Sequence, residues 1–309
     1  MTGCAERPGS GRTTRLVALT EILLAALIWA SSFVGVKIAL KYTGPFTVAG
    51  LRYFLAFVFL VPWLCRQRAG FTQVSRAIWR RLILMGATQY VLGNGVLFLS
   101  LKTLPATTGS LALCLSSIPV LVLARLWLKE RLTHIQIGGV LVALAGSVLF
   151  FSRGLVPVGS GFALGSLGVA VLSISMFPIL VREVARDRQV GIVILTAVPL
   201  GIGGGTLLLL AIAVEGVPHL PLVAWGVVLG LALVNTLLAY LLYNHSLQYI
   251  TAVEANVLLN LAPLGTALIA WGTLGEQLTP LQVAAMVLVV GGASLAQRRK
   301  ARVVLGSQS

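Results

Sequence analysis

Leu128-Lys129-Glu130-Arg131-Leu132-Thr133-His134-Ile135-Gln136 is echoed by Leu274-Gly275-Glu276-Gln277-Leu278-Thr279-Pro280-Leu281-Gln282. In both places an apolar run leads in and another follows, and the separation is close to half the chain. The sequence therefore reads as two copies of one apolar unit. Thr133-x-x-Gln136 and Thr279-Pro280-x-Gln282 both have the form of a capping box, the second with proline at the first helical position. Thr251-x-x-Glu254 is a third such box. Each marks the start of a helix.

Working outward from the echo, apolar stretches of about 20 residues, each long enough to cross a bilayer, fill almost the whole chain. Of its 309 residues 58% are hydrophobic and 10% charged, with a mean hydropathy of +0.97. A soluble domain carries about 25% charged residues. The expected fold is an all-α polytopic membrane protein with ten transmembrane helices in two five-helix repeats. The ten spans are placed near 17–37, 46–64, 82–101, 106–127, 134–151, 161–181, 190–213, 222–246, 252–273 and 280–296. Residues 1–16 form a polar tail, 17–151 the first repeat, 152–296 the second, and 297–309 a basic tail. No cleavable signal is expected, because the first apolar stretch is too long for one.

Charge sets the orientation. With the N-terminus inside, 18 Lys and Arg fall in inner segments and 4 (Lys37, Lys41, Lys102 and Arg153) in outer ones, leaving Arg52 within a span. Both termini are thus expected in the cytoplasm. Five is odd, so the second repeat enters the membrane in the opposite sense, an inverted arrangement that many carriers use. The net charge of +15 lies in short runs between spans, a pattern of topology and not of nucleic-acid contact.

Several chemistries are disfavoured. Cys4, Cys65 and Cys114 have no metal-knuckle or disulfide spacing. His134, His219 and His245 lack metalloprotease neighbours, and the sole aspartate, Asp187, lies in a loop. The Gly201–Thr206 run lacks the lysine of a phosphate loop. Neither an enzyme, a cofactor nor a metal is expected. Glycine pairs four apart (Gly161/Gly165, Gly201/Gly205 and Gly226/Gly230) are expected to bring helices close in lipid.

The chain resembles the EamA branch of the drug/metabolite transporter superfamily. Three segments carry the resemblance: Ala26-Leu27-Ile28-Trp29-Ala30-Ser31-Ser32-Phe33-Val34-Gly35-Val36-Lys37, Pro45 onward through Leu51-Arg52-Tyr53-Phe54-Leu55-Ala56, and the repeated block with Leu261-Ala262-Pro263-Leu264. Two positions depart from the pattern: Pro119 lies two residues nearer Glu130 than Pro263 does to Glu276, and span six has Ser173-Ile174-Ser175 where span one has Trp29. The resemblance implies a cavity between the repeats and movement of a small metabolite, amino acid or drug across a bacterial inner membrane, commonly outward. An uptake permease of the same fold and a non-transporting sensor or accessory subunit are the alternatives. The expected partners are a small-molecule substrate and the lipid bilayer, and a homodimer is left open.

Polar groups within spans are costly in hydrocarbon and belong against protein or a water-filled path. The cavity candidates are Trp29, Ser32, Arg52, Tyr90, Asn94, Asn235, Tyr240, Tyr243, Asn260 and Trp271, with Ser31, Gln89, Asn244 and Asn256 beside them. Arg52 suits a carboxylate or phosphate on the substrate; its structural alternative is snorkelling or pairing with carbonyls. His245 and Glu254 are the candidates for proton coupling, although Glu254 also fits a helix cap and Glu130 and Glu276 fit helix-end anchors. No acidic residue falls clearly at mid-membrane, so a simple buried-carboxylate relay is not expected.

Overall fold

In the computed structural model, residues 10–66, 74–129, 133–151, 161–186, 190–277 and 279–296 are described. Everything regular among them is helical. The helices are α1 Ser10–Ala39, α2 Pro45–Arg66, α3 Arg76–Leu101, α4 Ala106–Leu126 and α5 His134–Phe151. They continue as α6 Gly161–Arg186, α7 Ile192–Glu215, α8 Leu222–Ser246, α9 Ala252–Leu274 and α10 Pro280–Ala296. Eight are long and apolar enough to cross a membrane; α5 and α10 are shorter apolar helices. Large apolar side chains such as Leu27, Phe162, Leu172, Leu209 and Leu268 stand exposed. A polytopic chain needs such a surface toward lipid, because lipid tails solvate it. The protein is a multi-pass integral membrane protein.

The predicted caps form. Thr251 accepts from the Glu254 backbone while the Glu254 carboxylate accepts from Thr251 N at 2.9 Å. Gln136 and Gln282 close the same box on Thr133 and Thr279. Glu130, in the first copy of the echo, lies outside the described residues.

Packing follows an exchange rule. α2 packs on α7 and α5 on α10; α1 packs against α8 and α9, while α6 packs against α3 and α4. Replacing each helix by the one five places along returns the same set of contacts. Backbones meet closely at α2–α7, where a Cβ on Gly204 would stand 2.5 Å from Phe54 N and one on Gly50 2.7 Å from Leu208 Cα. At α5–α10, Gly146 and Gly292 do the same. The glycine pairs expected from the sequence need correction in part: a Cβ on Gly201 would stand 2.8 Å from the Phe57 ring of α2, as close packing requires, whereas Gly205 has only Phe54 at 4.0 Å and Gly161, Gly165, Gly226 and Gly230 have nothing within 4 Å. Four-residue spacing marks a small-residue stripe without saying which helix, if any, lies over it.

Three helices depart from α geometry near their middles. α3 widens to a π-helix over Gly86–Gly95, α8 does so over Leu233–Leu238, and α4 tightens to 3-10 over Leu113–Ser116. α9 is interrupted at Asn260 and Leu261, and its second segment starts at Ala262 with Pro263 in the first turn. The departures are paired. The spacing that carries Leu128 onto Leu274 also carries Gln89 onto Asn235, in the two π segments, and Cys114 onto Asn260, at the two breaks.

Candidate functional site: a polar cavity at the helix irregularities

The irregular turns surround a cavity of about 120 Å³. That is room for a cluster of waters or the core of a small solute. Its wall comes from both repeats: Trp29, Ser32, Arg52, Tyr53, Gln89, Asn94, Phe98, Ser110 and Cys114 from the first, Phe177, Tyr240, Tyr243, Asn256 and Asn260 from the second.

The wide turn in α8 makes the cation site. In a π turn the N–H bonds reach one residue further back, which alters which carbonyls remain available. The Asn235 carbonyl accepts from Arg52 Nη2 at 2.9 Å and from Trp29 Nε1 at 3.0 Å. The Thr236 hydroxyl donates to Leu231 O at 2.9 Å, five residues back, and accepts from Arg52 Nε at 2.6 Å. Ser32 accepts from Arg52 Nη1 at 2.7 Å. Arg52, only 3% exposed, is thus held by neutral oxygens of α1 and α8 and lies 5.2 and 5.8 Å from the ring centres of Tyr53 and Phe98. Among the described residues no carboxylate pairs with it.

The wide turn in α3 makes the opposite wall. Asn94 Nδ2 donates to Gln89 O at 2.9 Å, again five residues back, and Gln89 Nε2 donates to the Tyr240 hydroxyl at 2.8 Å. The Gln89 Oε1 atom is buried without a partner. At the breaks in α4 and α9, Ser117 Oγ accepts from both Asn256 Nδ2 and Asn260 Nδ2 at 2.9 Å. Rings close the rest: Trp29 lies 5.1 Å from Tyr240 and 5.3 Å from Tyr243, and Phe177 stacks on Tyr243 at 6.0 Å.

The sequence candidates therefore divide. Trp29, Ser32, Arg52, Asn94, Tyr240, Tyr243 and Asn260 line one cavity. Asn235 and Tyr90 stand behind the wall, the first holding Arg52 and the second buried against Tyr53, Tyr240 and Phe177. Trp271 is 58% exposed and away from the cavity. His245 and Glu254 also lie elsewhere, in ties between the repeats at the end of α1 near Ser10. Glu21 bonds His245 Nδ1 at 2.7 Å, Arg15 bonds Glu254 at 2.8 Å, and Arg81 bonds Glu183 at 2.7 Å. This end is the near face.

At the far face, where α1 ends at Ala39, two glutamates perform one task. Glu215 accepts from Phe46 N, Thr47 N and Thr47 Oγ1 at 2.7–2.9 Å, capping α2. Glu276 accepts from Ala106 N, Thr107 N and Thr107 Oγ1 at 2.6–3.3 Å, capping α4. Glu215 was missed as a functional candidate. Its signal is an acid at the C-terminal end of its own helix, where the macrodipole disfavours negative charge, so it serves another helix's N-terminus.

The fold and the cavity define a polytopic membrane protein built of two similar halves that share one polar hollow. The pattern of the EamA-like transporter family matches twice, over residues 17–152 and 161–297, and the chain belongs to that family. An uncharacterized transporter of Archaeoglobus fulgidus is 28% identical over 269 residues, covering 84% of this chain and 90% of that protein. The uncharacterized transporter YoaV of Bacillus subtilis is 22% identical over 84% of this chain and 89% of its own length. A solved crystal structure, 18% identical, superimposes with a TM-score of 0.71 over 92% of this chain and 96% of that one, a likeness of fold.

Proposed function

We propose that the chain is a secondary transporter that moves a small organic metabolite, amino acid or drug across the cytoplasmic membrane by alternating access. The ten helices form two inverted repeats, residues 17–151 and 152–296, with both termini in the cytoplasm and the far face outside. The observation that carries this reading is a buried, acid-free Arg52 lining a cavity whose wall is shared by both repeats. A fixed cation without a carboxylate partner is completed by an anionic group on a solute. Gln89 Oε1, a buried acceptor with no partner, suits an N–H or O–H donor on the same molecule. The rings of Trp29, Phe177, Tyr240 and Tyr243 suit a flat apolar body. Arg52 joins α1 and α8 across the two repeats, so a solute taking over its hydrogen bonds changes how tightly the halves are tied.

The family resemblance favours outward movement. The test is flux in liposomes holding the purified chain, using a panel of small carboxylates, amino acids and amines. Accumulation or loss of an anion-bearing solute that Arg52→Ala abolishes supports the reading. Flux confined to cations, or indifferent to Arg52 in a folded protein, removes the anion-binding role of Arg52, and no flux of any solute sinks the transport reading.

A further inference from the structure

A second depression, of about 350 Å³, lies at the far face beside the cavity and is lined by Lys37, Leu40, Lys41, Leu101, Lys102, Leu274 and Glu276. Leu101 lines both hollows, and Val36, next to Lys37, lines the cavity. Three of the depression's four ionisable groups are lysines. The fourth, Glu276, accepts from the N-terminus and Thr107 hydroxyl of α4; its charge also acts on Lys37, but among the described residues it forms no ion pair with a lysine. Among the described residues no ion pair includes Lys37, Lys41 or Lys102. Lys37 donates to Leu101 O at 2.9 Å, which fixes its ammonium at the boundary between the hollows, while Lys41 and Lys102 are exposed.

We propose that this depression is an anion-collecting vestibule, which gathers soluble organic anions bearing a carboxylate or phosphate at the mouth of the cavity that holds Arg52. Its role in a solute's path rests on the transport reading; its charge preference does not. Clustered ammonium groups against low-dielectric walls concentrate anions and repel cations, an effect that salt screens. The three lysines are also the exception to the chain's charge distribution. They are three of only four basic residues assigned to the outer segments, so topology does not account for their clustering.

The experiment places a cysteine in the depression by Leu40→Cys, and a second beside Lys102 by Thr103→Cys, in a chain whose Cys4, Cys65 and Cys114 are changed to serine. Proteoliposomes of phosphatidylcholine are treated with an anionic sulfonatoethyl or a cationic trimethylammonioethyl methanethiosulfonate. Each rate is divided by that reagent's rate with a free thiol. The expected result is a preference for the anionic reagent of about tenfold at low salt, shrinking at high salt and lost in the Lys41→Gln, Lys102→Gln double variant. Equal normalised rates at both cysteines overturn the proposal. So does a preference that disappears only when anionic phosphatidylglycerol is added, which would assign the lysines to lipid headgroups. Adding reagent to one side of the vesicle at a time shows which side the depression faces. A preference that stands while the flux panel shows no transport removes the transport reading alone.

Discussion

Arg52 is a cation buried to 3% exposure and satisfied by oxygens that bear no charge. Its planar fork spans Ser32, Thr236 and the Asn235 carbonyl, three partners that a lysine ammonium on a different stem does not reach together. Arg52→Lys is therefore expected to keep the charge yet lower transport efficiency. Losing one charged hydrogen bond costs about 1.5–3 kcal/mol, or roughly ten- to hundredfold. Initial flux against solute concentration checks this, and undiminished flux would show that charge alone suffices. The Gln89–Tyr240 contact at 2.8 Å makes a milder claim. A double-mutant cycle of Gln89→Ala and Tyr240→Phe is expected to give a coupling of about 0.6 kcal/mol in unfolding, the typical worth of an interhelical hydrogen bond in a membrane. Arg52 and Trp29 could be singled out in the sequence because a guanidinium or an indole N–H within a span needs a polar partner; both find one at the Asn235 carbonyl, for Arg52 the structural alternative named from the sequence. Trp271 has the same chemistry but stands 58% exposed, since residue type does not record which way a helix face turns.

Among the helices, the contact between α2 and α7 depends on the missing side chain of Gly204. Gly204→Ala puts a methyl against backbone atoms of Tyr53 and Phe54, and backbone does not yield as a side-chain tip does. A loss of about 1–3 kcal/mol is expected from overpacking. Gly226→Ala, with nothing within 4 Å, is expected to have no such cost. Thermal unfolding of both variants in one detergent separates them; equal midpoints would mean that α2 and α7 slide apart freely. The helices themselves were readable from apolar length, and their starts from the capping boxes. The π turns were not, because a hydrogen bond reaching five residues back leaves no composition or period of its own. The one sequence sign of the irregularity was in α4, where Pro119 fell out of step with Pro263, and the 3-10 segment at Leu113–Ser116 lies just before it.

At the scale of the whole molecule, polar ties cross between the repeats at both ends of the cavity. Arg15–Glu254, Glu21–His245 and Arg81–Glu183 hold the near face, while Glu215 and Glu276 hold the far face. Under the proposed alternating-access mechanism the two opposite states differ in which end is tied, so cutting one set favours opening at that same end. Glu215→Gln with Glu276→Gln is expected to speed hydrogen exchange in the 40–46 and 102–107 segments. Arg15→Ala with Glu21→Gln is expected to do so in the 246–254 segment. Glu215 and Glu276 each also cap a helix, a contact worth about 1 kcal/mol, which sets the scale of the shift at several-fold per tie. Exchange that rises equally at both ends in either variant would indicate general loosening and not a gate.

The paired irregularities carry a historical consequence. A wide turn in α3 and α8, and a break in α4 and α9, recur at matching registers although the residues forming them differ: Gln89 against Asn235, Cys114 against Asn260. Independent origin would require the same two faults to arise twice in the same two places. Descent from one short ancestor that already carried them requires it once. On that account the family pattern that matches twice is one unit copied, and the two copies have since diverged on their shared cavity, with Arg52 on one side and Asn256 and Asn260 on the other.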